Sequence, residues 1–421
     1  VGKSGKIRIY TTSKIKGDRV IMRKGLCMAV TVLASILVLF LGTLASAEDA
    51  KGVTKDTIKL GVIIDMTGPV TPMTIPLVQA TRNYIRHINE QGGINGRKIK
   101  LIIEDDHYTI PGAIAGFKKL VFRDGILSIL YGGGTGQTMA LASQIKKERV
   151  PVITVSLAES LVNPVRRHVF IPAASYDDEV ECIFDYIIKI LNAKNPRIAF
   201  TYPDTEHGKT GLRAAKERAK FYNIEMVAEE IVGLNILEAT SQVLSLKRAK
   251  ADYVIAHSGV GQAIILLRDA RKFDYKPTFI GDYYTCGEDL IKVAGKAAEK
   301  FIGVHSFNSW YDNKPGVADM REITLKYQPD TKIQTKFYTQ GWVTSMIFVE
   351  AAKRAGKDLN GDSLVDALES LKDFDTKGLC GLITYSPTQH KPNQFSQFYK
   401  TDLDKAIFVP ITGWLKPLEK K

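Results

Sequence analysis

Ile58-Lys59-Leu60-Gly61-Val62-Ile63-Ile64-Asp65 decides the fold class of this 421-residue chain. The run is almost continuously apolar, the pattern of a strand covered on both faces. Downstream, Leu77, Tyr84, Ile85 and Ile88 recur at helical spacing, Gly92-Gly93 stops that helix and Asn95-Gly96 turns the chain. A second strand follows at 98–104. The alternation continues with a helix at 111–123, a strand at 126–131, a helix at 137–148 and a strand at 150–155. Such regular βα alternation predicts a parallel sheet with right-handed crossovers.

A second series begins after Pro172. Helices at 177–192, 208–221, 239–248 and 261–272 interleave with strands at 197–202, 224–232, 252–256 and 278–281. Residues 302–310 read as extended, 334–355 as a long helix, and 379–412 as several short strands. The chain therefore reads as two α/β lobes. Ligands in open α/β sheets bind at the carboxyl ends of the strands, so the crevice between the lobes is the expected site.

Composition narrows the function. Hydrophobic residues make up 45% and charged residues 24%, ordinary globular usage. The formal net charge of +13 invites a nucleic-acid reading. However, residues 1–47 hold eight basic residues and one acid, leaving 50 basic and 44 acidic residues for the rest. That excess gives no reason to expect nucleic acid. The basic cluster precedes an apolar run from Leu26 to Leu44 and then Ala45-Ser46-Ala47, the pattern of a secretory signal peptide cleaved after Ala47. Residues 1–47 are thus expected to be an upstream extension plus signal peptide, with Met22 as a start and the remainder exported. A retained anchor is the alternative. Cys182, Cys286 and Cys380 remain after cleavage and read as buried residues without an assigned disulfide.

Motifs for catalysis fail their tests. Tyr131-Gly132-Gly133-Gly134-Thr135-Gly136-Gln137-Thr138 follows a strand and opens a helix, but Gln137 stands where a dinucleotide fingerprint needs its third glycine. Its N–H groups and the hydroxyls of Thr135 and Thr138 suit a small anion or carboxylate at a helix N-terminus; the other reading is a turn needed only for its geometry. Gly208-Lys209-Thr210 ends like a phosphate-binding loop, yet Pro203 replaces the first required glycine. Glu104-Asp105-Asp106-His107 reads as turn formation and helix capping. His257-Ser258-Gly259 shows no partner constellation. No metal, no cofactor and no enzyme activity are expected.

Several segments resemble the leucine/isoleucine/valine-binding family of periplasmic solute-binding proteins of ABC transporters, with the type I binding fold. They are Ile58-Lys59-Leu60-Gly61-Val62 leading to Thr67-Gly68-Pro69, Asn89-Glu90-Gln91-Gly92-Gly93-Ile94-Asn95-Gly96-Arg97, Glu104-Asp105-Asp106, Val150-Pro151-Val152-Ile153 and Gly208-Lys209. The resemblance spans 53–415. It implies two doubly wound parallel-sheet lobes joined by three crossover segments near 172, 304 and 385. Lobe one would be 53–172 with 305–385, and lobe two 173–304 with 386–421.

The resemblance also implies a site. The hydroxyl that binds the ligand carboxylate falls on Thr135, beside Gly136. The next loop, usually Ser-Ala-Thr, reads Ser156-Leu157-Ala158, so Ser156 is kept and Ala158 lacks the hydroxyl. A lobe-two tyrosine falls on His207, and another near Gly259 and Val260. The acid that pairs with the ligand ammonium falls on Asp282 or Tyr283, and Tyr283 with Tyr284 could instead wall an apolar pocket. The expected function is capture of a small carboxylate-bearing solute, by family default an amino acid, for delivery to an ABC permease in the membrane. The alternatives are an aromatic or aliphatic carboxylate lacking an ammonium group, or a ligand-sensing ectodomain.

Overall fold

A computed structural model describes residues 51–419, together with Val1 and Gly2. The signal peptide, its cleavage point and Cys27 lie outside the described residues.

The first series forms β1 (Thr57–Ile64), α1 (Thr71–Glu90), β2 (Lys98–Asp105), α2 (Ile110–Lys118), β3 (Ser128–Tyr131), α3 (Thr135–Glu148), β4 (Val152–Thr154) and β5 (Val169–Phe170). Their five-stranded sheet runs β2-β1-β3-β4-β5, with every pair parallel. Ile58, Leu60, Val62 and Ile63 of β1 are fully buried, as their apolar run requires. Each such side chain contributes about 1.5–3 kcal/mol by leaving water.

The second series forms α4 (Tyr176–Asp185), β6 (Ile198–Tyr202), α5 (Glu206–Phe221), β7 (Ala228–Ile231), α6 (Thr240–Arg248), β8 (Tyr253–Ala256), α7 (Val260–Lys272), β9 (Thr278–Gly281), α8 (Glu288–Ala294) and β10 (Ile302–His305). The chain then makes α9 (Pro315–Tyr327), α10 (Lys336–Ala355) and α11 (Gly361–Glu369), and ends in β11 (Gln397–Asp402) and β12 (Ile407–Pro410). The second sheet runs β12-β11-β10-β9-β8-β6-β7. It adds antiparallel strands to the parallel series: β11 pairs antiparallel with β12, to which a short hairpin joins it, and also with β10, beside which it lies after the chain returns from the first lobe.

Helices α9 and α10 return to pack on α1 of the first lobe, and α11 packs on α10. The α10–α1 approach depends on Gly341, where a Cβ would sit 2.3 Å from the Leu77 carbonyl oxygen. Sequence periodicity missed α8, α9 and α11. Two of these are short, with seven residues in α8 and nine in α11, and α9 buries few residues. Two expected helices, 111–123 and 177–192, change to π-helical turns at Lys119–Asp124 and Tyr186–Ile190.

The chain crosses between the lobes three times, after β5, after β10 and before β11. The crossings bond to one another. Ile171 N–H donates to the His390 carbonyl at 3.1 Å, and Asn308 N–H donates to the Leu379 carbonyl at 2.8 Å. The Tyr385 hydroxyl donates to the Ile171 carbonyl at 2.8 Å. Lys391 Nζ lies 2.7 Å from Glu159 and 2.9 Å from Asp178. Burial opposes its charge, yet the two carboxylates hold the ammonium above its usual pKa.

Candidate functional site

A pocket with about 610 Å³ of empty space, its open mouth included, lies between the lobes, within the size range of small-ligand sites. Its lobe-one wall comes from three strand ends. Asp65 follows β1, Gly133-Gly134-Thr135 follows β3, and Val155-Ser156 follows β4. Tyr131, Gly132 and Gly133 run in succession with φ of 78°, 65° and 74°. Only glycine fits at 133, where a Cβ would meet Asp106 Oδ2 at 2.5 Å. This turn aims the N-terminus of α3 at the pocket. There the Thr135 and Ser156 hydroxyls meet at 2.7 Å.

The lobe-two wall comes from Tyr176 at the start of α4, His207 in the first turn of α5, Leu234, Ser258-Gly259 after β8 and Tyr284 after β9. Thr205 caps α5 through the Gly208 N–H, which fixes His207 in that first turn. Ser175 and Asp178 form a reciprocal capping box on α4, fixing Tyr176. Met73, Leu77, Val70, Ile64 and Tyr108 complete an apolar and aromatic lining. The Tyr284 hydroxyl crosses the cleft to the Val155 carbonyl at 2.5 Å and to Gln340 Oε1 at 3.2 Å.

Of the residues expected from the sequence, Thr135, Ser156, His207, Gly259 and Tyr284 come together in the lining. Five others stand elsewhere. Thr138 is buried and donates to the Gly132 carbonyl at 3.1 Å, which braces the turn. Gly136 faces Glu206 of α5. Ala158 is buried and donates its N–H to Ser156 Oγ at 3.2 Å. Tyr283 is fully buried, with its hydroxyl on the Lys336 carbonyl at 3.1 Å. Asp282 is fully buried one layer behind His207, whose Nε2 is 3.9 Å from Asp282 Oδ2.

The sequence left His257 without partners, and the structure supplies them. His257 Nδ1 lies 2.5 Å from Asp282 Oδ2. Its Nε2 lies 2.9 Å from the His207 carbonyl, to which it donates. His207, His257 and Asp282 follow β6, β8 and β9, which are neighbours in the sheet, so parallel order brings them together. Gly211 leaves room for the imidazole; a Cβ there would sit 2.4 Å from it. Burial opposes charge on both His257 and Asp282, but their mutual attraction outweighs it, raising the His257 pKa and lowering that of Asp282. Burial, helped by the His257 charge, pushes His207 down to about 3.

Behind the lobe-one wall, Asp65, Asp105 and Asp106 gather their carboxylates. Turn formation explains most of their contacts. Asp65 accepts from the N–H groups of Gly68 at 2.5 Å and Val70 at 2.8 Å, and Asp105 accepts from Met66 and His107, both at 2.9 Å. The cap on α2 is Thr109, not an aspartate. Burial first, then the neighbouring aspartates, push Asp106 up to about 6. Cys182, Cys286 and Cys380 are buried free thiols.

The family model described as periplasmic binding protein matches residues 57–406. The chain belongs to the periplasmic binding protein family. A curated relative, the Leu/Ile/Val-binding protein of Escherichia coli strain K12, is 25% identical over 288 residues, 68% of this chain and 74% of the relative. A branched-chain amino acid ABC transporter protein from Thermus thermophilus, solved with bound valine, superposes with a TM-score of 0.80 at 25% identity, covering 86% of this chain and 97% of that one. A fatty acid ABC transporter substrate-binding protein from Thermomonospora curvata also gives 0.80, at 21% identity, covering 89% of this chain and 95% of that one. This periplasmic binding protein thus has the two-lobed fold that the sequence resemblance implied. Tyr108, Tyr176 and Leu234 were not singled out from the sequence. The Ser175-x-x-Asp178 capping pattern before α4 was the available signal for Tyr176.

Proposed function

We propose that the protein is an exported solute-binding protein of an ABC transporter, and that it closes its lobes on a small carboxylate with an apolar body and no ammonium group. Lobe one is taken as 53–172 with 305–385, and lobe two as 173–304 with 386–421. One arrangement supports this reading: the paired Thr135 and Ser156 hydroxyls at the α3 N-terminus face an apolar and aromatic pocket whose one lining carboxylate, Asp65, is committed to backbone N–H groups. Helix N-termini and hydroxyls attract anions. An ammonium group would meet the neutral imidazole of His207 where the family places its binding partners. No catalytic turnover is proposed.

An amino acid remains the second reading. It is favoured by Asp282 behind His207 and by the relatives that bind leucine, isoleucine and valine. Mass spectrometry of small molecules released from denatured, freshly purified protein separates the two. A co-purifying acid without an amino group supports the proposal, and a co-purifying α-amino acid overturns it.

A further inference from the structure

His207, His257 and Asp282 do more than wall the pocket. Each offers one ligand atom within 4.8 Å of the others. His207 Nε2, His257 Nδ1 and Asp282 Oδ2 are all buried, and none has a hydrogen-bond partner. His257 Nδ1 and Asp282 Oδ2 approach to 2.5 Å as the buried ion pair described above. A buried imidazole nitrogen without a partner beside a buried ion pair is costly unless something electrophilic joins them, and a metal ion would take the place of the proton on His257 Nδ1.

We propose that these three residues form a binding site for a divalent transition-metal ion of the zinc class. Of the three, His207 alone lines the solute pocket. Two imidazole nitrogens and one carboxylate oxygen with an open position match this class of site, and imidazole donors disfavour magnesium and calcium. Metal–ligand bonds of about 2.0–2.2 Å place ligand atoms roughly 3–3.5 Å apart. Two of the three separations, 2.5 and 3.9 Å, bracket that value, and all three ligand atoms lie within 4.8 Å of one another.

The outer contacts fit as well. His257 Nε2 donates to the His207 carbonyl at 2.9 Å, which leaves Nδ1 to ligate. Asp282 Oδ1 accepts from the Thr285 N–H at 3.1 Å and its hydroxyl at 2.6 Å, which turns Oδ2 toward the histidines. His257 and Asp282 directly follow the adjacent parallel strands β8 and β9, and α5, which follows β6, supplies His207. The site stands on this geometry alone. Only the idea that a solute oxygen or a water completes the coordination rests on the function proposed above.

The test is a Co2+ titration of untagged, chelator-treated full-length protein, followed by visible absorption. A one-to-one complex with the intense d–d bands of four- or five-coordinate cobalt is expected, displaced by Zn2+. His207→Gln, His257→Gln and Asp282→Asn should each weaken Co2+ binding at least about 10-fold, the loss typical even for partners that only orient a ligand, while Asp105→Asn in the other acidic group should leave it unchanged. Circular dichroism confirms that each variant is folded, and one folded variant suffices for the comparison. Absence of these bands, or bands unmoved by the ligand substitutions, overturns the proposal. Solute binding measured in EDTA is a separate readout: binding there without any cobalt site defeats the metal inference and leaves the solute reading standing.

Discussion

The hydroxyls of Thr135 and Ser156 lie 2.7 Å apart at the base of the pocket, although 21 residues separate them in sequence. One opens α3 after β3 and the other follows β4, the neighbouring parallel strand. Under the proposed function, this pair meets the carboxylate of the solute. Thr135→Val keeps the shape and removes one hydroxyl. Hydrogen bonds to a charged group are worth about 1.5–3 kcal/mol, so solute affinity should fall roughly 10- to 100-fold. Calorimetric titration reads the loss, and unchanged affinity would detach the hydroxyl pair from solute binding.

Closure is written in Tyr284, whose hydroxyl reaches across the cleft to Val155 and Gln340. Tyr284→Phe retains the ring against Phe337 and Tyr176 and loses those bonds. The closed state should lose about 1 kcal/mol, giving roughly 5-fold weaker solute binding. Small-angle scattering of the solute-free variant should show a larger radius of gyration than the parent.

Asp106 makes a pH-dependent contribution of defined sign. Its folded-state pKa of about 6 lies above the ordinary value of 3.8. Between those values the folded chain binds more protons than the unfolded one, so stability from this group falls as pH rises from about 4 to 6. Asp106→Asn keeps an acceptor for the Tyr108 N–H and removes the charge. The variant should gain on the order of 2 kcal/mol over the parent at pH 8 and little at pH 4. Urea unfolding at the two pH values checks this; an equal effect at both would contradict it.

Lys391 ties the third crossing to Glu159 and Asp178. Lys391→Met leaves two carboxylates near one another without their cation. A loss of roughly 3 kcal/mol is expected. The urea midpoint should fall at an unchanged slope.

The α/β class and most elements were legible because strands such as Ile58–Ile64 are buried on both faces and leave an unbroken apolar run. The βα boundaries followed from Gly and Asn turns. The antiparallel β11 and β12 were not legible, because strand direction depends on a connection with no periodic signal of its own. At the site, Thr135 and Ser156 were legible as hydroxyls after successive strands. Asp282 and Tyr283 do follow a strand, β9, but the turn after it folds both inward, and no local pattern distinguishes an inward turn from an outward one. His257 looked isolated because its partners lie 50 and 25 positions away, and only the order β9-β8-β6 unites them.

The central claim is that the pocket selects a carboxylate without an ammonium group. Matched pairs test it most directly: 4-methylpentanoate against leucine, and 3-phenylpropanoate against phenylalanine, each pair differing only by the α-ammonium. In thermal-shift and calorimetric titrations of one protein preparation, at least one unaminated acid should bind 10-fold or more tightly than its amino acid, and its amide should not bind. Leucine or phenylalanine binding 10-fold more tightly than its unaminated partner would contradict the account.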